Sequence, residues 1–527
     1  MGSAGRAGTV RDAVMGFLRD AGMTTIFGNP GSTELPMFRE FPGDFRYVLG
    51  LQESVVVGMA DGFAQATRNA AFVNLHSAAG VGHALGNLFT AFRNQTPLVV
   101  TAGQQARSIL PYAPFLFAEQ AAEFPKPYVK WSCEPARAED VPAAIARAYY
   151  VAMQPPRGPT FVSVPIDDWD RACPPIAMRR VDATRRGDAA LLDEAATALA
   201  NAARPGIVAG AGIARDGAWD ALVALAEDHQ AQVWIAPMAA REVFPEDHPL
   251  FAGFLPAARE PIVAALSHHD VLLVLGAPLF TYHVEGFGPH APEGAAVFQL
   301  VDDPALAALA PVGTAIVTDL AAGLEALRRA PPKRRRSAPA LLQRPAPPDP
   351  GRLTDALVLS RISALRPPGS IVVEEAPGSR GAMHDHLPIV GPDSFYTCAS
   401  GGLGHGLPAA VGVALGRPGE RVIAIIGDGS SMYAIQALWS AAQLKLPISF
   451  VIINNGGYAA LVEFSKQFDV TNPVGTTLGG LDFVQIAQGQ GVPAIRLNDV
   501  NDLDASLKEA FTSQGPMLVE ACVTGRS

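Results

Sequence analysis

Arg421-Val422-Ile423-Ala424-Ile425-Ile426-Gly427-Asp428-Gly429-Ser430 is the most informative stretch of this chain. Arg421–Ile426 is a short, mostly apolar run with the pattern of a strand buried in a parallel sheet. Gly427–Ser430 reads as a tight turn, with a helix expected from about Met432. The carboxyl end of such a strand opens onto the crevice where doubly wound α/β sheets bind ligands. Glycines there let the backbone approach a ligand closely, and the N–H groups of a helix start favour a phosphate. Asp428 would repel a bare diphosphate, so a divalent cation between them is the simplest arrangement. Mg²⁺ takes octahedral oxygen ligands, commonly one or two protein carboxylates plus phosphates. Twenty-seven residues on, Asn455 ends the next apolar run, in Ile452-Ile453-Asn454-Asn455-Gly456-Gly457. A helix and a strand fit that interval and would return Asn455 to the sheet edge beside Asp428. Its amide oxygen and the Gly457 carbonyl would complete the protein's share of a metal shell. Gly-Asp-Gly alone is only a turn, but Asn-Asn at this distance, after a second apolar strand, makes the pair specific.

The same alternation of strand and helix runs outward in both directions. Thr9 can cap a helix whose apolar face is Val10, Ala13, Val14, Phe17 and Leu18, stopped by Gly22. Strands are expected at Thr24–Gly28, Tyr47–Gly50, Phe72–His76 and Leu98–Ala102, with helices at Ser54–Arg68 and Val81–Asn94. Strands at Pro205–Gly210, Gln232–Ala236 and Val271–Gly276 mark a middle block. Pro331–Gly351, with seven prolines and the basic run Lys333–Arg336, reads as a solvated linker. Strands then resume at Ile371–Glu374, Arg421–Ile426, Ile448–Asn454 and Met517–Cys522. The expectation is an α/β protein of three doubly wound parallel-sheet domains: 1–185, 186–330 and, after a linker at 331–352, 353–527.

Composition agrees. The chain has 527 residues, 49% hydrophobic and 17% charged, enough for about three cores and far from a disordered composition. A net charge of −10 argues against nucleic acid or an anionic membrane as partner. No apolar run is long enough to span a bilayer, and Arg11, Asp12, Arg19 and Asp20 break up the only N-terminal candidate for a signal peptide. A cytoplasmic location is expected. The four cysteines, Cys133, Cys173, Cys398 and Cys522, fall in no metal or redox spacing and are expected to be reduced. Gly210-Ala211-Gly212 lacks a third glycine, so neither a dinucleotide fingerprint nor an FAD site is expected.

The Gly-Asp-Gly-Ser…Asn-Asn pair resembles the metal–diphosphate motif of thiamin-diphosphate-dependent enzymes. The likeness extends along nearly the whole chain, most closely to the 2-oxo acid decarboxylases that act on benzoylformate. It is carried by Gly28-Asn29-Pro30-Gly31-Ser32, Leu51-Gln52-Glu53, Asn74 through Gly80, Thr101 through Gln105, Tyr282-His283, Gly401-Gly402-Leu403-Gly404 and Tyr458 through Phe464. The resemblance implies a pyrimidine-binding, a middle and a diphosphate-binding domain. It also implies a homo-oligomer, a tetramer, with cofactor sites shared between subunits. Thiamin diphosphate and Mg²⁺ are the implied cofactors, with Ca²⁺ or Mn²⁺ as substitutes for the metal, and a small 2-oxo acid is the implied substrate.

By the same resemblance Glu53 addresses the aminopyrimidine, and His76 and His283 act as acid and base. Ser32 hydrogen-bonds the substrate carboxylate. Pro30, Gly31, Gly378, Gly401, Leu403, Gly427, Asp428, Gly429, Ser430, Tyr433, Asn455, Gly457, Tyr458 and Ala459 border the cofactor, with Asp428, Asn455 and Gly457 on the metal. Ser32, Thr397, Ala460 and Phe464 line the substrate pocket. Thr397 stands where an aromatic residue is expected, and His405 where an aromatic or apolar one is. Pro377-Gly378-Ser379 is poorer in hydroxyls than the pattern. The activity implied is decarboxylation of an aromatic 2-oxo acid to aldehyde and CO₂, with carboligation as a side reaction. The alternatives are an acetolactate-synthase-like ligase and a decarboxylase of a different 2-oxo acid. A non-catalytic subunit should have lost Glu53 or the Asp428/Asn455 pair, and all three are present.

Overall fold

The computed structural model describes residues 8–334, 336 and 338–524. Arg335 of the basic run, and the outermost residues of the expected terminal domains, lie outside the described residues. The chain forms two compact units. One takes the described residues of Met1–Val181, Asp349–Arg380 and Ser400–Ser527; the other takes Asp182–Pro348 and Gly381–Ala399.

The first unit holds two parallel sheets. In spatial order the first runs Arg46–Leu49, Thr25–Gly28, Ala71–Leu75, Leu98–Gln104, Pro159–Pro165, Ser132–Cys133. Chain order reverses at Thr25–Gly28, so a crevice opens between the carboxyl ends of that strand and Ala71–Leu75. Five of the six strands of the other sheet run Ile371–Glu375, Val422–Gly427, Ile448–Asn454, Met517–Cys522, Ala494–Leu497. The interior strands are buried along nearly their whole length, which is why they read as continuous apolar runs. The helix Val10–Asp20 starts at Thr9, whose hydroxyl and backbone exchange hydrogen bonds with Asp12 in a capping box.

Two helices of this unit cross closely. Glu53–Thr67 lies on Gly406–Gly416, and each carries a pair of glycines four residues apart at the contact: Gly58 and Gly62, Gly412 and Gly416. A Cβ on Gly62 would stand 2.8 Å from the Ala409 Cα, and one on Gly412 would stand 2.6 Å from the Phe63 nitrogen. The backbones touch where side chains would otherwise hold them apart.

The second unit carries one parallel sheet in the order Thr314–Val317, Ala296–Val301, Val271–Leu275, Pro205–Ala209, Gln232–Ile235, Phe251–Phe254. Gly210 and Gly212 press against Gly276, so these glycines serve backbone packing. His269 is buried, and burial, with His268 beside it, pushes its pKa down to about 4. It is therefore neutral, hydrogen-bonded to Trp234 and the Arg204 carbonyl.

Two local expectations need correcting. The helix begins at Asp428 rather than near Met432, spans only Asp428–Ser431, and has Met432 as its C-cap; the next helix is Ala437–Leu444. The basic run is not wholly solvated either. Arg336 turns inward to donate to the carbonyls of Leu199, Ala202 and His229 at two helix ends. The cysteines are free, and burial pushes the Cys133, Cys173 and Cys522 thiols up. Among the described residues no helix is long and apolar enough to cross a membrane.

Because the glycine crossing is this tight, Gly412→Ala should cost about 1–3 kcal/mol, the usual penalty for overpacking. Urea unfolding of wild type and variant measures it; an unchanged midpoint would show that the helices can part freely.

Candidate active site

The Gly-Asp-Gly-Ser turn leaves Val422–Gly427, flanked by Ile371–Glu375 and Ile448–Asn454. Gly427 pairs with Ile453, so Asp428 and the Asn454–Gly457 turn emerge side by side, as the spacing required. Asp428 is 2% exposed. Its Oδ1 accepts from the Gly429 N–H at 2.9 Å, while Oδ2 is buried with no hydrogen-bond partner. Burial raises the pKa of this carboxyl, against the pull of backbone N–H groups from Gly429, Gly457 and Gly456. Asn455 is exposed, and its amide oxygen accepts from the Gly457 N–H at 3.2 Å. The turn is held from outside by Tyr458 N–H on the Thr476 carbonyl and Leu478 N–H on the Gly456 carbonyl, each at 2.8 Å. Asp428, with one unpartnered oxygen, and the neighbouring turn, which carries an amide oxygen and a backbone carbonyl, offer oxygen donors of the kind a hard divalent cation takes. The residues present therefore fit the metal.

Around that point lie the other residues expected to border the cofactor. Gly429 packs under the Tyr458 ring, 2.5 Å from Cε1 to a Cβ placed there, so a larger residue would have to displace the ring. Ser430 is buried and Tyr433 exposed. Gly404, at φ +96°, closes over Tyr433, which brings the Gly401–Gly404 loop beside the Asp428–Ser431 turn. Gly401, at φ +71°, is open to solvent and Leu403 half-buried. Gly378 follows Ile371–Glu375 at the same sheet edge.

Glu53 is the first residue of its helix, behind Gln52, whose side-chain oxygen caps the N–H groups of Ser54 and Val55. Its carboxylate is 14% exposed and lies 3.1 Å from His83 Nδ1. Gly80 leaves room for it: a Cβ there would be 3.2 Å from Oε1. Asn87 Nδ2 donates both to the Ser54 carbonyl at 2.7 Å and to the Gly404 carbonyl at 3.1 Å, tying the Glu53 turn to the Gly401–Gly404 loop.

At the crevice of the first sheet, the Gly31-Ser32 turn and His76 face each other. The His76 ring packs on Gly31 so closely that a Cβ on Gly31 would overlap it. His76 Nδ1 sits 2.8 Å from Glu34 Oε2 and 3.1 Å from the Thr33 hydroxyl. Glu34 is 1% exposed and also accepts from the N–H groups of Gly31 and Gly103. A carboxylate only accepts, so it fixes the proton on His76 Nδ1 and leaves Nε2 for chemistry. Ser32 and Pro30 are exposed at the mouth. Sequence reasoning missed Glu34, although Gly31-Ser32-Thr33-Glu34 has the spacing of a carboxylate reaching back to a turn N–H.

His283 and Thr397 belong to the second unit. His283 is exposed, with its backbone N–H on the Ala257 carbonyl; Thr397 is 1% exposed, with its N–H on the Ala240 carbonyl at 3.1 Å. Beside it, Tyr396 is stacked under Arg241, which pairs with Asp393 at 2.6 Å. Ala459, Ala460 and Phe464 lie on the helix Ala459–Ser465, where Phe464 packs edge-on against Phe468.

Three family models match in succession: the N-terminal TPP binding domain of thiamine pyrophosphate enzymes at residues 8–122, the central domain at 192–327, and the C-terminal TPP binding domain at 378–521. The chain belongs to the thiamine pyrophosphate enzyme family. A benzoylformate decarboxylase of Pseudomonas aeruginosa is 44% identical over 97% of this chain and 98% of its own. The crystal structure of benzoylformate decarboxylase from Polynucleobacter necessarius matches at TM-score 0.95 and 38% identity, covering 98% of each chain. A thiamine diphosphate-dependent 4-hydroxybenzoylformate decarboxylase from Rhodococcus jostii RHA1 matches at TM-score 0.95 and 40% identity, over 98% of this chain and 100% of that one.

The Glu34–His76 pair makes a prediction within this family. Glu34→Gln should lower kcat by about 10–100-fold, as loss of an orienting partner commonly does. Steady-state kinetics at saturating cofactor would show it; a kcat equal to wild type would remove His76 from proton transfer or Glu34 from its support.

Proposed function

We propose that this enzyme is a carbon–carbon lyase that decarboxylates an aromatic 2-oxo acid of the benzoylformate type, releasing CO₂ and an aldehyde. The observation that carries this reading is the Glu34–His76 pair facing the exposed Ser32 turn, in a chain similar over nearly its full length to decarboxylases of such acids. Asp428, the Asn455 amide oxygen and the Gly457 carbonyl would hold Mg²⁺ or a similar cation, and with it the diphosphate. Bound there, thiamin diphosphate supplies an electron sink for the carbanion that departing CO₂ leaves, which no side chain stabilises well.

The chain's own residues do the rest. Glu53 holds a hydrogen at the ring nitrogen of the aminopyrimidine, and Leu403 and the Gly401 carbonyl orient the cofactor from the other side. Ser32 hydrogen-bonds the substrate carboxylate. His76, through Nε2, and His283 move protons during product release, each such transfer typically contributing about 10²–10⁴ in rate. Phe464 and Ala460 form an apolar wall against the aryl group. The assembly is a homo-oligomer whose subunits share cofactor sites, and carboligation is a side reaction.

The test uses protein stripped of cofactor, then given thiamin diphosphate and Mg²⁺ singly and together. Benzaldehyde formation from benzoylformate is followed by coupled reduction, with pyruvate and branched 2-oxo acids alongside. Turnover of benzoylformate that needs both additions and exceeds the aliphatic acids is expected; preference for pyruvate with acetolactate as product would overturn the reading. Glu53→Gln should remove at least about 10²-fold of kcat. Wild-type turnover in that variant would discharge Glu53 from its role.

A further inference from the structure

A buried ion pair that the chemistry does not use joins the helix Glu53–Thr67 to the end of the Gly401–Gly404 loop. Asp61 lies eight residues along that helix from Glu53 and is 0% exposed, and His405, 1% exposed, follows the loop directly. His405 Nε2 is 2.5 Å from Asp61 Oδ2. The same oxygen accepts from Gln65 Nε2 at 2.7 Å and Asn94 Nδ2 at 3.1 Å. His405 Nδ1 is buried with no hydrogen-bond partner. Beneath it the fully buried Glu375 takes the backbone N–H groups of Gly404, His405 and Gly406 at 2.7, 2.7 and 2.5 Å.

Burial alone would push the His405 pKa down, but the carboxylates of Asp61 and Glu375 outweigh it and raise it. Burial likewise pushes Asp61 up, and the contact with His405 brings it below the usual carboxylate range. A charged pair in such a place costs much of its Coulombic gain in desolvation, and an apolar pair of similar volume would often be as stable. Stability is thus a poor reason for having it. What the pair does that an apolar contact cannot is fix one orientation, because a bond of this kind holds at one distance and angle. The loop it ends needs such a hold. Gly401 and Gly404 both sit at positive φ, Gly401 has no atom within contact of its open side, and the loop packs against Tyr433.

We propose that the Asp61–His405 pair is a positioning clamp that holds the Gly401–Gly404 loop in the conformation that receives thiamin diphosphate. This rests on the assignment of Gly401 and Leu403 to the cofactor. His405 touches no reacting atom and acts through the loop.

The test measures thiamin diphosphate dissociation constants at fixed Mg²⁺ by tryptophan fluorescence, with apo-protein melting temperatures, for Asp61→Asn, His405→Gln and the double variant. Each single variant should bind cofactor about 10–100-fold more weakly. The double variant, with an amide on each side, should recover most of that loss. Leu273→Ala, a core truncation in the sheet of the second unit, is the control for stability alone; it should melt lower yet bind cofactor like wild type. Wild-type affinity in the single variants, no recovery in the double variant, or equal weakening in the control would overturn the clamp. If the single variants do not fold, the double variant decides: near wild-type affinity supports the clamp and weakened affinity refutes it. Leu403→Ala separates the underlying assignment, because unchanged affinity there would show that the loop does not hold the cofactor.

Discussion

Close backbone contact between the helices Glu53–Thr67 and Gly406–Gly416 is the constraint on which the site depends. Four glycines remove the side chains that would separate them. The first helix begins at Glu53 and the second directly follows the Gly401–Gly404 loop, so the crossing sets where two otherwise distant parts of the sequence present their ends. Asn87, bonded to the carbonyls of Ser54 and Gly404, and the Asp61–His405 pair lock the register that the glycines permit. Neither polar link would form if the helices were held apart by ordinary side chains.

From that frame the chemistry divides cleanly between sheet edges. One edge supplies the Glu34–His76 pair and the Ser32 turn, at the point where strand order reverses and a crevice must open. The other supplies Asp428, with one oxygen satisfied by backbone and one buried and unsatisfied, beside the Asn455 turn. A buried carboxylate oxygen without a donor is costly, and a divalent cation is the kind of partner that would relieve it. The same logic covers His76: a buried carboxylate fixes its proton on one nitrogen and frees the other.

Much of this was legible in the sequence, for a physical reason. Strands buried on both faces leave continuous apolar runs, and Ile448–Asn454 and Met517–Cys522 stand where those runs do. The spacing from Asp428 to Asn455 is one crossover of a parallel sheet, which is why it placed both at one edge. Short edge strands such as Ser132–Cys133 and Ala494–Leu497 carry too few residues for a pattern. The Asp61–His405 contact joins residues 344 apart, and no local period announces such a pair. Glu34 could have been read from its distance to Gly31; Arg336 could not, because a charge in a proline-rich stretch looks solvated until the helix ends it caps are seen.

A crystal structure of the protein with thiamin diphosphate and Mg²⁺ tests the central claim most directly. The account predicts a metal on Asp428 Oδ2, the Asn455 amide oxygen and the Gly457 carbonyl, with a Glu53 carboxyl hydrogen-bonded to the aminopyrimidine. A diphosphate bound elsewhere, or Glu53 still turned onto His83 with the ring nitrogen unmet, would contradict it.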